Sequence, residues 1–145
     1  MRTMLELKDL HKTYCTKRSY VRYEALKGIS FNAAEGDFIA IMGESGSGKT
    51  TTLNIIASLD TATSGEVIIG GSDISKMDNK EICRFRREKL GFVFLDFNLL
   101  NYFTVKDNIA FPLVLLNRSK KEINERVKDL AEKNRHHQTP EQIPL

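Results

Sequence analysis

Residues 43–50 read Gly-Glu-Ser-Gly-Ser-Gly-Lys-Thr and match G-x-x-x-x-G-K-[ST] at every fixed position. The flanking residues limit what such a segment can be. Phe-Ile-Ala-Ile-Met at 38–42 is a short uninterrupted apolar run, the form expected of a strand buried on both faces of a parallel sheet. On the other side Leu53, Ile56 and Ala57 recur at helical spacing, so a helix is expected over about 49–59. A strand, a glycine-rich loop and a helix in that order form a phosphate-binding loop. A polyphosphate carries several negative charges. It is met by a row of backbone N–H groups that converge only if the chain adopts conformations glycine tolerates. Gly43, Gly46 and Gly48 supply that freedom, and Glu44, Ser45 and Ser47 contribute the intervening amides. The helix that follows turns its positive dipole end to the same ligand. Lys49 is expected at the β and γ phosphates, the Thr50 hydroxyl on Mg²⁺ as a hard oxygen ligand, and Thr51 at the α phosphate.

The rest of the chain alternates strands and helices. Leu5 and Leu7 alternate against Glu6 and Lys8, which predicts a strand over 4–14. A basic polar loop over 15–22 and a strand over 24–31 follow, closed by a turn at Glu35-Gly36-Asp37. After the turn cluster at 60–65 come a strand at 66–69, a tight turn at Gly70-Gly71 and a return at 73–74. Asp78 with Glu81, Thr104 with Asp107 and Ser119 with Glu122 each have the form of a capping box and each predict a helix start. Residues 90–94 read as another buried strand. In the last helix Ile123, Val127 and Leu130 form one apolar stripe, read as core. From Asn134 onward the pattern has no period and contains two prolines.

Composition removes several alternatives. The net charge is +3, but Lys and Arg are interleaved with Asp and Glu, so no nucleic-acid partner is expected. Cys15 and Cys83 are far apart and fit no metal-ligand spacing. The opening residues carry scattered charges where a signal peptide would be unbroken and apolar. The longest apolar run, 109–116, is eight residues and contains Pro112, far short of the roughly 20 that span a bilayer. Any membrane connection is therefore expected through a partner.

Beyond the loop, the chain resembles the ATP-binding subunits of ABC transporters. The likeness is to the subgroup serving lipoprotein release, MacB-like export and antimicrobial-peptide export. It covers about residues 4–133. It rests on Leu10-His-Lys-Thr-Tyr14, Ala25-Leu-Lys-Gly-Ile-Ser-Phe31, Ala40-Ile-Met-Gly-Glu-Ser-Gly-Ser-Gly-Lys-Thr50, Leu53-Asn-Ile-Ile56, Ser64-Gly-Glu-Val67 and Gly91-Phe-Val-Phe94. The resemblance implies that Tyr14 stacks on adenine, a contact worth roughly 1–3 kcal/mol. It also implies that residues 97–116 face a membrane permease, that nucleotide-binding domains dimerise in the complete protein, and that the chain lies in the cytoplasm, peripheral to the membrane. The family's glutamine after the strand ending at Phe94 is replaced by Leu95, which has no oxygen to offer Mg²⁺; Asp96 beside it is the nearest carboxylate. No Leu-Ser-Gly-Gly-Gln-like signature occurs, no later apolar strand ends in Asp-Glu, and His136 and His137 do not stand in for the family's switch histidine.

The expectation is therefore an α/β P-loop NTPase fold of the ABC ATPase type. It has N-terminal antiparallel strands and part of the central parallel sheet, and it is incomplete at the C-terminus. Residues 1–133 form the N-terminal part of a nucleotide-binding domain, and residues 134–145 form a disordered tail outside the family. The tail can be back-translated so that a one-nucleotide shift reads Ile-Gly-Ile-Thr-Lys-Leu-Leu-Asn-Lys-Tyr-Pro, so a frameshifted remnant of a longer gene is expected. ATP and Mg²⁺ are the expected cofactors, bound by Tyr14 and residues 43–51. No catalytic residue is assigned. Two readings stand side by side, ATP hydrolysis coupled to transport and a binding module without turnover. A P-loop kinase or GTPase is disfavoured by the two strands and Tyr14 that precede the loop.

Overall fold

The computed structural model describes residues 2–15, 21–94 and 98–133. The chain divides into two compact units, Met1–Arg86 and Arg87–Leu145. The first is built on an antiparallel sheet. Strands β1 (Thr3–Cys15) and β2 (Arg22–Ala34) pair along their length, β3 (Ser64–Ile69) pairs with the other edge of β1, and β4 (Ser72–Asp73) returns on β3 across Gly70-Gly71, giving the order β2-β1-β3-β4. The turn at 35–37 forms as expected, with the Ala34 N–H donating to the Asp37 carboxylate at 2.7 Å.

Leu7 and Leu10 are both buried in this sheet, although residues three apart on a straight strand face opposite sides. A bulge resolves the mismatch. Pairing slips between Leu7 and Leu10 on the β2 side and between Lys8 and His11 on the β3 side, and Asp9 takes a left-handed φ of 46°. One extra residue shifts the phase, so Leu10 joins Leu7, Leu26 and Val67 in the core. Gly65 of β3 lies against the bulge at φ 96°, where a Cβ would come within 2.4 Å of the Asp9 carbonyl oxygen.

Helix α1 (Lys49–Ile56) is shorter than expected and ends in a turn through the left-handed Ser58. It buries Thr52 and Ile55, with Ala57 just beyond, while Leu53 stays exposed. Helix α2 (Asn79–Lys89) begins at the expected box, in which the Glu81 N–H donates to Asp78 Oδ1 at 2.8 Å and the Asp78 N–H donates to Glu81 Oε2 at 2.9 Å. In the second unit α3 (Val105–Leu115) and α4 (Lys120–Lys133) open at the other two boxes. Val127 is buried on the stripe read as core, with Ile123 and Leu130 half-buried beside it.

Two strand expectations are corrected. Residues 38–42 and 90–94 lie in no strand, and Phe38 and Met42 are 96% and 87% exposed. A buried parallel strand requires ladder partners on both edges. The only ladders among the described residues belong to the antiparallel sheet. The apolar run therefore records a requirement for neighbouring strands that the described residues do not meet. Residues 16–20 of the basic loop, Leu95, Asp96 and the segment 134–145 lie outside the described residues.

The bulge yields a paired test. Alanine at Gly65 or at Gly71 meets a left-handed backbone, a strain of roughly 1–2 kcal/mol, but only Gly65 also meets backbone atoms, since nothing lies within 4 Å of a Cβ at Gly71. Gly65→Ala is expected to lower the urea midpoint distinctly more than Gly71→Ala. Equal midpoints would show that the bulge yields freely.

Candidate functional site

The glycine-rich loop leads into α1 along the edge of β2. Gly48 is the helix N-cap, at φ 90°, and a Cβ there would sit 2.6 Å from Leu26 Cδ2 and 2.7 Å from the Ala25 carbonyl oxygen. Only glycine satisfies both the conformation and the approach. Gly43 and Gly46 also have positive φ, 153° and 81°. The Ser47 N–H closes a turn on the Glu44 carbonyl at 3.2 Å. Lys49 folds back on its own loop, where Nζ donates to the carbonyl oxygens of Gly43 at 2.9 Å and Glu44 at 2.6 Å and lies 3.4 Å from Ser47 Oγ. A cavity of about 440 Å³ opens on this loop, lined by Tyr23, Ala25, Ser45, Gly46, Gly48, Lys49, Thr50 and Thr51. Thr50 is exposed in the first turn of α1, where its hydroxyl can serve as an oxygen ligand. Helix α1 has no side-chain cap and no acidic residue in its first turn. Its leading N–H groups and positive dipole end suit an anion.

Tyr14 does not line that cavity. It stands at the end of β1, beside Thr51, within a separate polar cluster. Its hydroxyl donates to Asp60 Oδ2 at 2.6 Å, and Lys12 Nζ donates to Asp60 Oδ1 and to the Thr61 carbonyl, each at 2.6 Å. The same ammonium lies 4.7 Å from the Tyr14 ring centroid, a cation–π contact. Lys12 is only 8% exposed, so its charge depends on Asp60 for compensation. Burial pushes the Asp60 carboxyl up, but hydrogen bonds from Lys12, Tyr14 and the Thr61 N–H outweigh it and hold the group below the usual aspartate value. The bond to Asp60, then burial, push the Tyr14 phenol up against the opposing effects of Thr51 and Lys12. The hydroxyl stays protonated as the donor.

Sequence reasoning singled out neither Tyr23, Lys12 nor Asp60. Tyr23 is the cross-strand neighbour of Tyr14, so the two rings rise from one face of the hairpin. The Tyr23 hydroxyl donates to the Gly46 carbonyl at 3.2 Å. Lys12 and Tyr14, two apart on a strand, share a face in the sequence pattern. That Asp60 meets them depends on where α1 ends.

Acid should expose the Asp60 cluster. A carboxyl held below its unfolded value, about 3.9, contributes stability that is present above that value and is lost as pH falls through the lower folded value. Asp60→Asn is expected to cost on the order of 1–3 kcal/mol at pH 7. The gap between variant and parent should close as unfolding is followed below pH 4. A gap independent of pH would remove the carboxylate from this role.

Residues 26–144 match the family model described as ABC transporter. Among curated relatives, the ABC transporter ATP-binding protein YxdL of Bacillus subtilis is 45% identical over 133 residues, covering 92% of this chain and 51% of that protein. The bacitracin export ATP-binding protein BceA of Halalkalibacterium halodurans is 42% identical over 128 residues, covering 88% of this chain and 50% of that protein. The chain thus spans about half the length of these relatives. A solved dimeric structure of the ATP-binding cassette MJ0796, in a post-hydrolysis state bound to ADP and Pi, superposes with a TM-score of 0.84 at 37% identity, over 97% of this chain and 62% of that one. The loop that crosses β2 at Gly48, the uncapped helix behind it and the family match over residues 26–144 agree, and the chain belongs to the ABC transporter ATP-binding family.

Proposed function

We propose that this chain binds Mg·ATP at the cavity on residues 43–51. The observation that carries the reading is the start of α1. Helices α2, α3 and α4 each begin with a carboxylate of their own folded onto the leading N–H groups, from Glu81, Asp107 and Glu122. Helix α1 begins with Gly48 and Lys49 and has neither an acidic residue nor a side-chain cap. An anion supplied from outside completes it.

In this reading Lys49 turns from the Gly43 and Glu44 carbonyls to the β and γ phosphates, and the amides of Gly43, Glu44, Ser45, Gly46, Ser47 and Gly48 orient the chain of phosphates. Thr50 holds Mg²⁺, which neutralises phosphate charge when bound, and Thr51 meets the α phosphate. The adenine stacks on Tyr14, whose tilt Asp60 fixes from the far end of the ring.

The wider setting is part of the same proposal. The ATP-binding domain works as a dimer, which the dimeric MJ0796 cassette supports, on the cytoplasmic side of a membrane permease. Export of antimicrobial peptides is the transport class supported by the bacitracin export relative. Leu95 weakens the coupling of nucleotide to permease. No helix among the described residues is long and apolar enough to cross a membrane, which is compatible with attachment through a partner.

Calorimetric titration with Mg·ATP tests the site. Lys49→Ala is expected to abolish binding and Tyr14→Ala to weaken it by about tenfold, the size of one stacking contact. Equal affinity of parent and Lys49→Ala would sink the assignment.

A further inference from the structure

Strand β2 touches the phosphate loop at two points with matching spacing. Ala25 and Leu26 press on Gly48, and Tyr23, two residues before Ala25, reaches Gly46, two residues before Gly48. The first contact is steric and depends on a residue without a side chain. The second is the Tyr23 hydroxyl donating to the Gly46 carbonyl at 3.2 Å.

The bond acts on one peptide plane. In a trans peptide the C=O of Gly46 and the N–H of Ser47 point in opposite directions. A hydroxyl on β2 that holds the carbonyl outward therefore turns the Ser47 N–H towards the interior of the loop, where that N–H already donates to Glu44. This N–H is one of the donors a polyphosphate must find. Three side chains fasten the loop among the described residues, Lys49 at the Gly43 and Glu44 carbonyls, Tyr23 at the Gly46 carbonyl and Thr52 at the Gly48 carbonyl. Once Lys49 turns to the phosphates, Tyr23 still holds the middle of the loop. Tyr23 also lines the cavity together with Lys49 and Thr50.

We infer that Tyr23 is a positioning residue for the phosphate loop, setting the Ser47 amide for a polyphosphate whatever base that polyphosphate carries. The inference rests on the reading of residues 43–51 as the phosphate site. It assigns the paired tyrosines separate tasks, Tyr14 the base and Tyr23 the phosphate chain.

The test is titration of the 145-residue chain with Mg·ATP, Mg·GTP and Mg·tripolyphosphate, using the parent, Tyr23→Phe, Tyr14→Ala and Lys49→Ala. Tyr23→Phe keeps the ring and loses one neutral hydrogen bond, so all three dissociation constants should rise by a common factor of about three to ten. Tyr14→Ala should weaken ATP and leave tripolyphosphate unchanged. The sequence has no tryptophan, so tyrosine emission supplies a second readout. Tripolyphosphate should change it in the parent and not in Tyr23→Phe, and a matching far-ultraviolet dichroism spectrum shows that the variant is folded. Loss of tripolyphosphate binding in Lys49→Ala with unchanged constants in Tyr23→Phe would overturn the inference alone. Weakening of ATP only would overturn it too, by making Tyr23 a base contact. If Lys49→Ala binds tripolyphosphate as the parent does, the phosphate-site reading fails and the inference falls with it.

Discussion

The approach of Gly48 to β2 is the constraint on which the first unit is organised. Because the Ala25 carbonyl and the Leu26 side chain occupy the space a Cβ would need, the residue at which the loop turns into α1 has to be glycine. Leu26 is itself fixed in the core with Leu7, Leu10 and Val67. The β1 bulge that brings Leu7 and Leu10 to one face thus packs the same core that holds the side chain against which Gly48 rests. Packing and ligand geometry share these residues, so a change to the core at Leu26 is also a change to the site.

Polar side chains complete the arrangement by two different devices. Around Tyr14 the bonds are short, partly buried and charged, and they join the end of β1 to the turn after α1 through Asp60. Around the loop itself the bonds are exposed and neutral or made by a mobile ammonium, as suits a segment that must exchange partners when a ligand arrives. On the reading proposed above, the cluster around Tyr14 orients the base and the bonds of the loop give way to the phosphates.

Local signals in the sequence translated well into structure. Gly48-Lys49, the three capping boxes and the Gly70-Gly71 turn depend on neighbours within four residues, and each appears at the expected place. What depended on distant partners did not. The apolar run at 38–42 has the composition of a buried strand, yet composition cannot supply a ladder, and Phe38 stands in solvent. The strand at 4–14 was legible but its bulge at Asp9 was not, because the glycine that lies against it, Gly65, is on another strand. Tyr23 escaped notice for a related reason, since its register against Tyr14 is set across a connection whose length does not determine pairing. Within the site, the loop was legible and the residues that hold the loop were not.

The back-folded Lys49 has a consequence for selectivity. Its ammonium is already satisfied by two carbonyl oxygens and lies near a hydroxyl, so an incoming anion competes with the protein's own backbone for it. A lone small anion brings charge to that exchange but reaches few other donors. On the reading proposed above, a linear polyphosphate gains more, because it engages the ammonium, the inward amides and the dipole of α1 together. Lys49 in its resting position would then favour ligands long enough to reach several donors at once over inorganic phosphate and sulfate.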